Sequence, residues 1–227
     1  MQVSNKKKKY IQKNYPKQSV KELAKNLGLK EKEVEAVIKE LTEKQSIKKE
    51  KRVFYEKSLK GYRAILGVII ALTFLVYFPA LKAGFVCDDD SLIFENSLVI
   101  GKESFYKIFA TEFWSTAGKR SLFYRPLVTL SYWIDYRLYQ EKAFGYHLSN
   151  IIFHISATVL LFLLLWRLGL NKFLITTATL IFSLHPAHTQ SVTWIAGRTD
   201  VLATLFLLLA LFLYIWSKGK PSKIRFL

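Results

Sequence analysis

Two short segments hold most of the side chains that could do chemistry. The first, FVCDDDSLIFEN, places three carboxylates side by side, Asp88, Asp89 and Asp90. Like charges this close resist simultaneous ionisation, so one of the three is expected to keep its proton to unusually high pH. Such a group suits a general base, or an acceptor for a hydroxyl nucleophile. A solvated acidic turn and a cation site fit the same three residues equally well. The second segment, SLHPAHTQSVTWIAGRTD, gathers His185, His188, Arg198 and Asp200. His185 and His188 have the right type for metal ligands, but Pro186 breaks any helix between them and no third ligand is fixed nearby. Metal is therefore the weaker reading. A short re-entrant turn that aims its donors at an anionic headgroup is the better one.

Other polar residues sit in oily surroundings. His147, Asn150 and His154 are spaced three, four and seven apart, so they share one helical face. Polar groups at membrane depth turn toward the bundle interior, where they mark a site or make an interhelical hydrogen bond. Arg125 and Arg137 lie in the aromatic-rich, amphipathic stretch SLFYRPLVTLSYWIDYRLY, which suits the membrane interface. An arginine there is placed to grip a lipid-linked phosphate.

These residues must be carried by membrane helices. The chain of 227 residues is 51% hydrophobic yet has a net charge of +17, and the two properties are segregated. Residues 1–60 hold 18 Lys and Arg against 8 Glu, and long apolar runs begin only near Ile65. A bilayer crossing takes about 20 mostly apolar residues. Four spans are expected, near 62–78, 146–166, 173–184 and 201–216, the third of them short. The basic head, the Arg167–Lys172 link and the tail with Lys218, Lys220, Lys223 and Arg225 would share the cytoplasmic side. Loops 80–145 and 185–200 then face outward. The first of these has 8 basic and 8 acidic residues. Cys87 is the single cysteine and leaves the redox compartment undetermined. The N-terminal MQVSNKKKKYIQKNY has no apolar core behind its lysines, so no cleavable signal peptide is expected.

In the head, Ser19 can cap a helix over Val20–Leu27, Gly28 can end it, and Glu31–Glu43 can form a second. Ala24, Gly28 and Val34 have the spacing of a helix-turn-helix, and Ser46–Glu56 is expected to add a wing hairpin. Phosphate-directed DNA binding is the alternative use of such a head. The mixed charges of EKEVEAVIKELTEK favour instead an anchor on anionic lipid or on a partner.

In chain order, FVCDDDSLIFEN, Phe113-Trp114, YRPLVTLS, GYHLSNIIFH and SLHPAHTQSVTWIAGRTDVLATLF resemble the transmembrane-and-tetratricopeptide-repeat O-mannosyltransferases and their prokaryotic relatives. The resemblance covers about residues 62–216. It implies the GT-C fold, and an inverting transfer of sugar from a polyprenyl-phosphate carrier to an acceptor hydroxyl of a protein or glycan on the outer face. Asp88 and Asp89 match the acidic pair, one of which would be the catalytic base. Arg125, His147, Asn150, His185, His188 and Arg198 match motif positions that would line the cavity or hold the donor phosphate. No cofactor is required by this pattern, and a divalent cation stays open. Gln190 stands where such enzymes often carry Glu. They also have more spans than four, so an N-terminal fragment is expected. The rival class is a membrane-tethered DNA-binding regulator with an outer sensing loop, and a scaffolding descendant of the enzyme is a third.

Overall fold

The computed structural model describes residues 3–114 and 123–217, with the backbone alone for residues 47–59. The basic residues of the tail after Ser217 lie outside them. The chain divides into two compact units, Met1–Tyr62 and Arg63–Leu227.

The first unit is three helices, α1 (Asn5–Asn14), α2 (Val20–Leu27) and α3 (Glu31–Lys60). Ser19 begins α2 with a capping box: its hydroxyl accepts from the Glu22 N–H while the Glu22 carboxylate accepts from the Ser19 N–H. Gly28 ends α2 at φ +60°, a left-handed turn that costs glycine little. Ala24 and Val34 then bury against Ile11, Leu23 and Val37, closing a small core around the α2–α3 corner. Glu40 of α3 bridges Lys8 and Lys44, whose ammonium groups hold its carboxyl down at about 2. The wing hairpin is not formed. Ser46–Glu56 continues α3 as helix. That stretch, SIKKEKRVFYE, contains no Gly, Pro, Asn or Asp to turn a hairpin, and its Lys, Glu and Arg are good helix formers.

The second unit is an α-helical polytopic membrane protein. Three of its helices are long and apolar enough to cross a bilayer: Arg63–Lys82, Ala143–Arg167 and Ile195–Ser217. They contain α4 (Arg63–Tyr77), α7 (Ala143–Arg167) and α10 (Arg198–Ser217). The expected third span, 173–184, is the short one. Helix α8 (Lys172–Leu184) has 13 residues, a length of about 20 Å against a hydrocarbon core of about 30 Å. It ends where Pro186 removes the next backbone donor.

The shortfall of α8 is filled by irregular chain. Helices α7 and α10 run side by side in the same direction. Leu164 packs with Leu208, and Arg167 lies 5.4 Å from the Trp216 ring at their C-terminal ends. Helix α8 rises beside them as far as His154, whose ring bonds the Ser183 carbonyl at 3.1 Å. From there a 3-10 turn (Pro186–His188), α9 (Thr189–Thr193) and a second 3-10 turn (Ile195–Gly197) climb along α7 from His154 to Tyr146. Loop 185–200, the second segment expected to face outward, is therefore held alongside α7.

Above it folds the first outer segment. It contains α5 (Asp89–Ile93), a 3-10 turn at Phe105–Phe109 and α6 (Pro126–Tyr139). Leu92, Ile93, Val99, Phe113, Val128 and Tyr132 bury against Tyr146, Ile195 and Leu202, so both outer segments and α7 share one core. The remaining aromatic and aliphatic positions, Phe105, Tyr106, Phe109, Phe123, Tyr124, Leu127, Ile134 and Leu138, are exposed. This is the distribution expected of chain lying along a membrane interface.

Candidate functional site

The three aspartates are sorted by the fold. Asp90 is exposed, Asp88 half-buried and Asp89 completely buried. Cys87 precedes them at φ +53°, a left-handed conformation that bends the chain into the cluster. One oxygen of Asp89 accepts from the Val86 N–H at 2.9 Å and the other from the Ala196 N–H at 3.0 Å. The second bond joins the two outer segments directly. Burial pushes the Asp89 carboxyl above the ordinary range, and the neighbouring charges of Asp90 and Asp88 add to this, while the two N–H donors oppose it. Fully buried, with each oxygen accepting from a backbone N–H, Asp89 clamps the segments together and does not line the cavity described next.

Asp88 differs. Its side chain has no hydrogen bond or ion pair among the described residues, and it lines a cavity of about 310 Å³ between the two segments. Arg125, Gln190, Thr199 and Asp200 line the same space. Arg125 ends the irregular chain before α6, lying 4.7 Å from the Phe123 ring and 5.3 Å from the Phe113 ring. Its guanidinium donates weakly to the Thr199 hydroxyl at 3.5 Å and has no carboxylate within 4.0 Å among the described residues. Asp200 accepts from Ser191 at 3.1 Å. Trp194, whose buried indole N–H has no acceptor among the described residues, completes the wall. The cavity thus offers two carboxylates, a guanidinium with no carboxylate partner among the described residues and an indole N–H, a set that can hold an anionic oxygen beside a hydroxyl.

Arg198 is placed elsewhere. Its side chain has 0% exposure. Nε donates to Asn150 at 2.6 Å, Nη1 to Ser131 at 3.1 Å and Nη2 to the Tyr146 carbonyl at 2.9 Å. Asp135 stands 2.6 Å from Nη2, and Ser149 donates to the other oxygen of that carboxylate. The Tyr132 ring lies 4.6 Å beneath the guanidinium. An arginine sequestered in this way organises α6, α7 and the start of α10; an open phosphate-binding surface is not available to it. Asn150 belongs to the same group, since its amide also donates to the carbonyls of Val192 and Trp194.

The histidines separate too. His147 is buried and, among the described residues, neither ring nitrogen makes a hydrogen bond of ordinary geometry, although the backbone at Ala83, Gly84 and Thr193 lies around it. His185 is exposed, and its Nδ1 accepts from the Ala187 N–H at 3.2 Å, capping the turn after α8. His188 lines a separate, water-sized cavity of about 40 Å³ with His154, Ser191, Asp200 and Thr204. Among the described residues no group of three potential ligands is close enough to hold a metal ion.

Of the expected site residues, only Asp88 and Arg125 meet in the larger cavity. Asp200, noted in the second segment but given no role there, lines the cavity as well. Its signal was an acid in the first turn of a spanning helix, where the helix dipole favours negative charge.

Comparison with known proteins gives the arrangement a context. The chain is 35% identical over 162 residues to the protein O-mannosyl-transferase F38B6.6 of Caenorhabditis elegans, an alignment covering 69% of this chain and 23% of that protein. It is 36% identical over 170 residues to human protein O-mannosyl-transferase TMTC3, covering 74% of this chain and 18% of TMTC3. With Drosophila melanogaster Tmtc1, also a protein O-mannosyl-transferase, identity is 35% over 148 residues, covering 63% of this chain and 17% of that protein. The chain resembles the TMTC protein O-mannosyl-transferases. It spans about a fifth of the length of these curated relatives. No family model and no solved structure matches the chain. At this identity the TMTC likeness covers too much of the chain to rest on the first head unit alone.

Proposed function

We propose that the chain is the part of a membrane glycosyltransferase that binds a lipid-linked sugar phosphate and activates the acceptor. The reaction moves the sugar from a polyprenyl-phosphate carrier to a hydroxyl, with inversion at the anomeric carbon. The O-mannosyl-transferase relatives favour a mannose donor and a protein acceptor. The single observation that carries the reading is the cavity in which Asp88 and Arg125 occur together between the two outer segments.

The roles follow from the geometry of the residues. Asp88 is the base, because it is the carboxylate of the acidic run that reaches the cavity without being committed to protein donors. It accepts the hydroxyl proton as the acceptor oxygen attacks the anomeric carbon and the carrier phosphate departs. Arg125 holds the departing phosphate, its planar fork matched to two phosphate oxygens. Asp89 and Arg198 are positioning residues. The lysine-rich first unit lies on the cytoplasmic side and the cavity on the opposite side, following the distribution of Lys and Arg.

Sugar transfer from a polyprenyl-phosphate donor tests this in membranes containing the chain. Asp88→Asn is expected to lose at least a hundredfold in kcat, the size of a general-base contribution. Arg125→Gln is expected to raise the donor KM. Wild-type kinetics in both variants would overturn the assignment.

A further inference from the structure

The first unit contains a charge pattern that the glycosyl-transfer reading does not use. Residues 1–21 include seven lysines and no acidic residue. The fold divides the Lys6–Lys9 run into two pairs. Lys7 turns inward and donates to the Leu27 carbonyl at 2.7 Å, and Lys8 pairs with Glu40 at 2.6 Å. Lys6 and Lys9 stay exposed, as does Lys13. At 100° per residue these three lysines and Tyr10 fall within about 100° of arc on α1, opposite the buried Ile11. Lys17 and Lys21, also exposed, follow along the chain. The result is a face of one sign with an aromatic ring, exposed by 39%, set among the lysines.

The helix that would read a DNA groove in a helix-turn-helix is α3, and its exposed first turns alternate Glu31, Lys32, Glu35 and Lys39. Glutamates on that face repel phosphate, so the basic surface and the groove-reading surface are different surfaces of this unit. A lysine face with an interspersed tyrosine matches a bilayer surface: ammonium groups at anionic headgroups, an aromatic ring at the headgroup level. The same chain carries three helices able to cross a membrane, so a lipid surface is always within reach.

We infer that the α1 face of Lys6, Lys9, Tyr10 and Lys13 docks on anionic lipid headgroups of the membrane that holds the rest of the chain. The interaction is electrostatic, reversible and weakened by salt. It is independent of the proposed transferase reaction.

The full chain in lipid nanodiscs tests it. Cys87→Ser with Asn5→Cys leaves a single thiol for an environment-sensitive fluorophore beside the lysine face. Discs of phosphatidylcholine are compared with discs that also contain phosphatidylglycerol. The label should shift to shorter wavelength only in the anionic discs, and high salt should reverse the shift. Replacing Lys6, Lys9 and Lys13 together by Gln should weaken docking on the order of a hundredfold, about fivefold for each lysine. Lys32→Gln with Lys39→Gln on α3 should leave it intact. Retained hydrogen-exchange protection of Leu23 and Val34 in the triple variant shows that the unit is still folded. Identical emission in the two discs, or a triple variant that still docks, would overturn the inference. So would a label that responds to duplex DNA at physiological salt and not to anionic lipid.

Discussion

Asp88 and Asp89 are adjacent in sequence, and the fold predicts that their removal has opposite consequences. Asp89→Ala leaves the N–H groups of Val86 and Ala196 without acceptors in a fully buried site. An orphaned buried donor costs about 1–3 kcal/mol, so the pair costs roughly 2–6 kcal/mol. For a unit of this size that is a fall in melting temperature on the order of 10 °C. Asp88→Ala removes a half-buried side chain with no hydrogen bond, and its stability cost should stay within about 0.5 kcal/mol. Melting of the purified variants in detergent, followed by size-exclusion fluorescence, compares them directly. The pH dependence has a definite sign. Burial raises the Asp89 carboxyl in the folded state, so the native protein holds that proton more tightly than the unfolded chain. The stabilisation from Asp89 is complete below the ordinary carboxylate value and declines as pH rises through the raised one. The melting gap between wild type and Asp89→Ala should therefore narrow as pH rises above the ordinary carboxylate range. If Asp89→Ala melts with wild type, or if Asp88→Ala is the less stable of the two, the division into clamp and base is wrong.

Three further outcomes follow from the packing. Arg198→Met should destabilise by about 3–5 kcal/mol, because it strands the Asp135 carboxylate; adding Asp135→Leu should recover much of the loss, read as the yield of monodisperse protein. Gly197→Ala should cost about 1–3 kcal/mol in melting experiments, since a Cβ there would meet the Gln190 carbonyl at 2.8 Å and the Ser191 Cα at 2.9 Å, both backbone. Gly28→Ala should lower hydrogen-exchange protection in α2 by about 1 kcal/mol, because φ +60° is strained for any residue with a Cβ.

Local signals in the sequence were read successfully where a single residue decides the outcome. Ser19 and Gly28 bound α2 because capping and positive φ act within one turn. The apolar runs declared the long helices because bilayer thickness demands them. Two other outcomes depend on partners far along the chain. The commitment of Arg198 to Asp135, Ser131 and Asn150 spans 48 to 67 residues, and no local pattern distinguishes a buried guanidinium from one facing a ligand. The separation of Asp88 from Asp89 likewise depends on where Ala196 arrives. The wing expected over Ser46–Glu56 fails for a different reason: SIKKEKRVFYE holds no turn-favouring residue, and its Lys, Glu and Arg carry α3 onward.

The shortness of α8 places a series of short helical turns, rather than one continuous helix, beside α7. Its polar backbone must be met from within the protein. Asn150 serves the carbonyls of Val192 and Trp194, Tyr132 that of Ile195, and Asp89 the N–H of Ala196. These side chains act as a substitute solvent for the segment. Losing any one of them would strand a polar backbone group among apolar side chains.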